Sequence, residues 1–336
     1  MTNAALQAQV TSRTPLKVVE AYSGAWLERV ALADGRVVIV KHLPADGDWL
    51  TRVTDGLGRT QLLWRSGLLQ RLEPAVEHGV LDLVPFGDHD AVVMADLTER
   101  LWPHPAPLDR GTIREAMAGL AAFHGFGERV VAEGCSDELA LCPLGSRYGM
   151  FAPAFHAADR CPNPHPVRDR ILAGWELFAE FVDGDVAAAV AAVHGDPDGF
   201  GRRLAACSSP TILHGDAKPQ NLGVTAGRLT AIAWGELTGV GPREVDVAWF
   251  ALMSTRARLD VDPNDVFAIY QQVSGSALDP AIVDLACIGS LAQMGFRLAT
   301  VARLASRPEA RHEASTRLAW WADRVRTALD RGDTPS

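Results

Sequence analysis

The chain has 336 residues, 48% hydrophobic and 22% charged, a make-up that suits one large domain or two lobes with a substantial core. A net charge of -9 and a pI near 5.6 argue against a broad phosphate-binding surface, so nucleic acid is not an expected partner; the acidity is compatible with a cationic small-molecule partner, although solubility alone accounts for it. Five cysteines (Cys135, Cys142, Cys161, Cys207, Cys287) without a CxxC point to reduced, mostly buried thiols rather than to a disulfide framework or a zinc site.

The first residues, "MTNAALQAQVTSRTPLK", lack a basic stretch followed by an apolar one, and no segment approaches the roughly 18 uninterrupted apolar residues of a membrane helix, so a cytoplasmic protein with no membrane partner is expected. Residues 1–15 are expected to be flexible. Residues 16–98 read as strand-rich: "WLERVAL", "RVVIVKHL" and "DAVVMADL" are β-branched runs separated by turn signals such as Ala33-Asp34-Gly35 and Gly87-Asp88. Between the second and third, "RTQLLWRSGLLQRL" spaces Leu62, Leu63, Leu68, Leu69 and Leu72 as one amphipathic helix.

After Leu101 the proline-rich "WPHPAP" marks a change of regime, and helices dominate from there. "DRGTIREAMAGLAAFHGF" carries Ile113, Met117, Leu120 and Phe123 on one stripe with Asp109 or Thr112 as its cap. "RDRILAGWELFAEFV", "DVAAAVAAVHG", "AIVDLACIGSLAQMGFRLATVARL" and "RHEASTRLAWWADRVRTAL" read as further helices, interrupted by a hairpin from Leu222 to Trp234 that turns at Ala226-Gly227. The tail 331–336 is expected to fray. The resulting class is α+β: a small β-rich lobe (1–98), then a larger helical lobe (99–330) containing one hairpin, with ligand expected where the lobes meet.

The most informative stretch is "HGDAKPQN". Phosphoryl transfer needs a carboxylate beside the attacking hydroxyl and an oxygen ligand for magnesium nearby, and Asp216 and Asn221, five apart on one loop before a hairpin, can supply both. His-Gly-Asp and Asn-Leu-Gly are also ordinary turn chemistry, so the motif alone does not decide. No GxSxG elbow, Walker GxxxxGK[ST], HExxH or strand-linked GxGxxG is present; Cys161 and His165 in "RCPNPHPVRD" read as a proline-rich loop rather than as metal ligands.

Together, "SGAWLERV", "VVIVKHL", "VVMADL", "HGDAKPQN" and "GVGPREVDVAWFAL", in this order, resemble the aminoglycoside phosphotransferase and choline-kinase-like family, and within it uncharacterised actinobacterial-type phosphotransferases. The resemblance covers most of the chain and implies a bilobal protein-kinase-like fold that transfers the γ-phosphate of ATP, with Mg2+, to a hydroxyl of an aminoglycoside- or sugar-like small molecule. It implies that Asp216 is the catalytic base, that Asn221 holds metal, and that Lys41 pairs with the ATP phosphates. Ser23 and Gly24 fall where a turn covers the phosphates, and Met94, Ala95 and Asp96 where a hinge meets the adenine. His214 and Asp246 would brace the loop. Residues 135–209 and the helices after Ala251 would build the acceptor pocket, where Glu176, Glu180, Asp183, Asp260 and Asp262 are acids that could recognise amines.

Two departures from the family pattern stand out. The helix after the lysine strand offers Thr60 or Gln61 where a glutamate is usual, so Lys41 is expected to lack an ion-pair partner. The segment after the hairpin, "AIAWGE", places Ala233 or Trp234 where a metal-binding aspartate is usual, and leaves Glu236 as the nearest substitute, a residue that reads equally well as a solvated loop acid. The expectation is therefore an ATP-dependent small-molecule kinase, with a catalytically impaired pseudokinase, a nucleotide- or partner-binding module, as its alternative.

Overall fold

The computed structural model describes residues 9–16, 26–43, 49–54, 56, 58–86, 89–102, 108–134, 139, 141–158, 167–206, 209–254 and 261–332. Ser23, Gly24, Cys135, Cys161, His165, Cys207 and Asp260 lie outside them.

Strands β1 (Val10–Leu16), β2 (Trp26–Leu32), β3 (Val37–Leu43), β5 (Val80–Phe86) and β6 (His89–Ala95) form one antiparallel sheet in the order β1-β2-β3-β6-β5. Alternation along the strands sends Val30, Leu32, Val38, Val40, Val84, Ala91 and Val93 to one face, where they pack together. The opposite face carries Lys41, which lies between Leu27 of β2 and Val92 of β6.

The structure adds one strand to the sequence reading and corrects one helix. Val10–Leu16, which overlap the stretch 1–15 expected to be flexible, form the edge strand β1; "VTSRTPL" has only scattered apolar positions because an edge strand half open to solvent needs no hydrophobic run. The proposed helix from Arg59 to Leu72 is two short ones, α2 (Arg59–Arg65) and α3 (Leu68–Leu72), following a first short helix α1 (Trp49–Val53). Gly67 breaks them apart by adopting a left-handed conformation, φ 77°, and this leaves Leu62 exposed while Leu63, Leu68, Leu69 and Leu72 are buried.

Helix α4 (Arg110–Ala132) begins at Asp109, whose side chain accepts from the Thr112 amide, so of the two residues nominated as its cap Asp109 is the one used and Thr112 supplies only its backbone N–H. Shorter helices α5 (Leu144–Gly149), α6 (Pro153–Ala158), α7 (Val167–Phe178), α8 (Gly184–Gly195) and α9 (Pro197–Ala205) follow. Strand β7 (Thr211–Leu213) leads into the HGD loop, and the hairpin β8 (Leu222–Thr225) and β9 (Arg228–Ala231) follows it as expected. Strand β10 (Gly239–Gly241) returns to pair with β7. Strand β4 (Val76–Glu77) pairs in parallel with β9, tying the N-terminal region to the hairpin.

Helices α10 (Glu244–Ser254), α11 (Pro263–Ser274), α12 (Pro280–Leu304) and α13 (Pro308–Asp330) complete the chain. α12 has the length and apolarity of a membrane span, but 78% of its apolar window is buried, against α7, α10 and α13 among others, and it is the central core helix here. The architecture is the α+β arrangement expected: a β-sheet in the N-terminal region and helices in the C-terminal region.

Candidate active site

The loop after β7 is held from below by one buried carboxylate. Asp246, in the first turn of α10 and fully buried, accepts the His214 amide at 2.7 Å and the Gly215 amide at 3.0 Å, and lies 3.4 Å from His124 Nε2. Burial pushes this carboxyl upward, but the hydrogen bond and charge of His124, with His214 and Arg147, outweigh it and hold Asp246 below the usual carboxylate value. It is therefore an anion, and one that fixes two consecutive amides of the loop.

His214 also works within the loop. Its Nδ1 accepts the Asp216 amide at 3.2 Å and its Nε2 sits 2.9 Å from the Ile232 carbonyl, so the ring proton is on Nε2. Burial lowers its pKa, which favours this neutral form. The ring packs edge-on against Trp234, 4.6 Å between centroids. His214 and Asp246 thus both hydrogen-bond the loop backbone.

Asp216, next along the loop, is partly exposed. Its Oδ2 receives Lys218 Nζ at 2.7 Å and Asn221 Nδ2 at 2.8 Å, while its Oδ1 receives Trp249 Nε1 at 3.1 Å. Asn221 thereby spends its amide NH2 on Asp216 and leaves its Oδ1 without a hydrogen bond among the described residues. Asp216 and Asn221 are brought together as the spacing suggested.

Lys41 does not lack a partner. Its Nζ lies 2.8 Å from Glu236 Oε1, both side chains being largely buried, at 14% and 9% exposure. This corrects the expectation of an unpaired lysine, and also the picture of Glu236 as a solvated loop acid. The partner comes from 195 residues away instead of from the neighbouring helix. That helix contributes otherwise: the Arg59 guanidinium, 3% exposed, donates to the Glu236 carbonyl and to Thr54, and Thr60 Oγ donates to the Trp234 carbonyl at 3.1 Å. The place of the usual glutamate is taken by residues that bind the backbone of the "WGE" segment.

That segment has the conformation its sequence allows. Ala233 is exposed, at φ 67°, whereas Trp234 is 3% exposed and donates from Nε1 to the Ala231 carbonyl, so it is a core residue with no free ligand atom. Gly235 takes φ 134° beneath Thr60, and a Cβ there would lie 2.0 Å from Thr60 Oγ. Only glycine lets the chain pass this close to α2 and turn Glu236 toward Lys41.

At the edge of the sheet, Met94 and Ala95 end β6, and the Ala95 amide bonds the Gly79 carbonyl at 2.8 Å. The Asp96 carboxylate is already engaged, with Thr98 and with Arg29 at 2.7 Å, so any nucleobase contact here would fall to the backbone. Of the described acids named for an acceptor pocket, Glu176 and Glu180 are exposed, Asp183 pairs with Arg326, and Asp262 caps α11.

A divalent cation has a modest but suitable donor set. Mg2+ usually takes one or two protein oxygens alongside phosphates and water, and the free Asn221 Oδ1 and the second carboxylate oxygen of Glu236, which has no hydrogen bond among the described residues, are of that kind. Among the described residues no group of three or more His, Cys, Asp or Glu side chains could hold a metal on its own. Four residues with roles in this geometry were not singled out by sequence: Lys218, Trp249, Arg147 and Arg59. Only Lys218 carried a signal, as the one cation inside "HGDAKPQN".

No protein-family model matches the sequence, and no curated protein does. Solved structures do match along nearly the whole chain. A spectinomycin phosphotransferase in complex with ADP and spectinomycin superposes with a TM-score of 0.54 at 10% identity, covering 97% of each chain. A choline kinase from Streptococcus pneumoniae gives 0.53 at 14% identity over 94% of this chain and 95% of its own. An amicoumacin kinase in complex with AMP-PNP and Ca2+ gives 0.54 at 8% identity, over 96% and 92%. The chain has the bilobal kinase-like fold. At these identities the likeness establishes the fold, and the site residues must carry any argument about chemistry.

Proposed function

We propose that this kinase-like protein is an ATP-dependent phosphotransferase that moves the γ-phosphate to a hydroxyl of a small molecule, aminoglycoside- or sugar-like in kind. The observation that carries the reading is the pairing of Glu236 with Lys41, beside the meeting of Asp216 with Asn221, because it returns a carboxylate to a segment whose sequence had lost one. The small-molecule kinases that share the fold, one with ADP and one with AMP-PNP, make a nucleotide the natural ligand.

In this reading Asp216 orients the acceptor hydroxyl and takes its proton. Lys218, 26% exposed and held among the described residues by Asp216 Oδ2, is a cation able to follow a transferring phosphoryl group. Lys41 binds the α- and β-phosphates. Asn221 and Glu236 hold Mg2+, which when bound neutralises phosphate charge. Met94, Ala95 and the backbone at Asp96 meet the base. The acceptor pocket falls to residues 135–209 and the helices after Ala251, where no acidic cluster is found among the described residues.

The second reading is a nucleotide-binding module without turnover. It is favoured by one observation: Glu236 is already committed to Lys41, and Ala233 and Trp234 offer no ligand atom. Mg-dependent ATP binding and hydrolysis, measured with and without a panel of hydroxylated acceptors, separates the two. Turnover that is lost in both Asp216→Asn and Glu236→Gln supports the phosphotransferase. Nucleotide binding indifferent to Mg2+, with hydrolysis appearing only in Ala233→Asp, supports the module, and absence of any nucleotide binding refutes both.

A further inference from the structure

Behind the HGD loop lies a buried cation that pairs with no carboxylate among the described residues. Arg147, on α5, is 2% exposed; one guanidinium nitrogen donates to the Gly215 carbonyl, and the other two, Nε and Nη2, have no hydrogen-bond partner. Its guanidinium carbon lies 5.2 Å from the centroid of the Trp249 ring and 6.0 Å from that of Tyr148. Trp249, itself 4% exposed, points its indole N–H at Asp216 Oδ1.

Packing alone does not account for this arrangement. Burying a charge that no carboxylate contacts directly is unfavourable, even with the buried Asp246 anion acting on it through space, and a cation–π contact offsets only part of that cost. A leucine or methionine at 147 and a phenylalanine at 249 would fill the same space without that cost. What the pair provides instead is local to Asp216. Arg147 fixes the carbonyl one residue before it and draws π density from the Trp249 ring, which makes the indole N–H a stronger donor to the carboxylate.

The consequence for Asp216 is asymmetric. Oδ1 is held by a rigid donor from the core helix α10, while Oδ2 is held by Lys218 and Asn221 from the loop itself, of which Lys218 is the more exposed. We infer that Trp249, polarised by Arg147, is a positioning residue that locks the Asp216 carboxylate so that Oδ2 is the oxygen presented to the acceptor hydroxyl. This rests on the phosphotransferase reading and adds the residues that orient its base.

The test uses the full chain and Mg-ATP, with water as acceptor, and follows turnover, KM for ATP and nucleotide affinity by calorimetry. Trp249→Phe keeps the ring and removes the donor: turnover should fall about tenfold to a hundredfold with KM and nucleotide affinity unchanged, since misplacing one reacting group costs rate rather than binding. In an Asp216→Asn background the same change should cost nothing further. Arg147→Met should act in the same direction as Trp249→Phe and not add to it.

An independent arm reads the bond directly. The indole 15N–1H signal absent from Trp249→Phe should shift in Asp216→Ala. If that signal does not move, or if Trp249→Phe is as active as the native protein, or if it loses activity equally in the Asp216→Asn background, the positioning role is overturned while the phosphotransferase reading survives. If the native protein shows no Asp216-dependent turnover at all, the phosphotransferase reading fails and takes this role with it.

Discussion

Glu236→Gln tests the central claim about the site. The substitution keeps the shape and an acceptor oxygen but removes the charge facing Lys41 at 2.8 Å. At an effective dielectric near 20 the gross attraction across that distance is about 6 kcal/mol. Most of it offsets the cost of withdrawing both groups from water, and their exposures of 14% and 9% place them between a surface pair and a fully buried one. A net loss of about 1–3 kcal/mol in unfolding free energy follows, readable as a lower denaturant midpoint with unchanged slope. A cycle with Lys41→Met should show coupling of similar size.

The same variant separates two jobs for Glu236. If it holds the metal, Glu236→Gln should weaken Mg-ATP binding about tenfold or more while leaving metal-free ATP binding intact, because Lys41 is still present. If Glu236 merely plugs the phosphate site, the variant should bind metal-free ATP more tightly than the native protein and keep the same response to Mg2+. The second outcome would refute the assignment of Glu236 as a metal ligand, and a coupling near zero in the cycle would refute the ion pair itself.

Other perturbations probe the supports of the site. Gly235→Ala should destabilise by about 2 kcal/mol or more in denaturant unfolding, since its Cβ would lie 2.0 Å from Thr60 Oγ at a backbone angle that disfavours side chains. Asp246→Asn should cost about 2–4 kcal/mol, because two loop amides and His124 lose an anion in a dry site. The depressed Asp246 pKa gives stability that is present above the ordinary value of 3.8 and is lost as pH falls beneath it, so the variant's stability should vary less across that acid range than the native protein's. His42, His78, His194 and His214 all have pKa values lowered by burial from 6.5. The unfolded chain therefore takes up protons that these rings refuse, stability should decline as pH drops below 6.5, and His194→Gln should flatten that decline in a series of unfolding curves.

How much of this was legible in the sequence depended on how far apart the interacting residues lie. Strands β2, β3 and β6, the Asp109 cap and the Ala226-Gly227 hairpin all follow from patterns within a dozen residues, and so does the meeting of Asp216 with Asn221. β1 was missed because an edge strand has no apolar run, and the division of α2 from α3 because leucine spacing outweighed Gly67 in the reading. The pairing of Lys41 with Glu236 could not be read at all, since no local pattern links residues 195 positions apart in the chain. Arg59 and Arg147 were invisible for a related reason: a charged residue in a helix is ordinarily solvated, and only the packed structure reveals a buried one.

Those long-range residues change the argument about the missing aspartate. Sequence comparison treats the absent helix glutamate and the absent metal aspartate as two separate losses, each weakening the case for turnover. The structure makes them one rearrangement. Thr60 and Arg59 replace the glutamate and grip the backbone of Trp234 and Glu236, Gly235 leaves room for that grip, and the acid reaching Lys41 now comes from the "WGE" segment. A chain that had merely lost a kinase site would have no physical reason to bury an arginine in order to hold Glu236 in place. That coupling yields a sharp consequence: Thr60→Ala combined with Arg59→Met should release Glu236 from Lys41 and lower Mg-ATP affinity by about as much as Glu236→Gln does. If the double variant folds and binds Mg-ATP like the native protein, the two departures are independent after all, and the case for a relocated acid loses its main support.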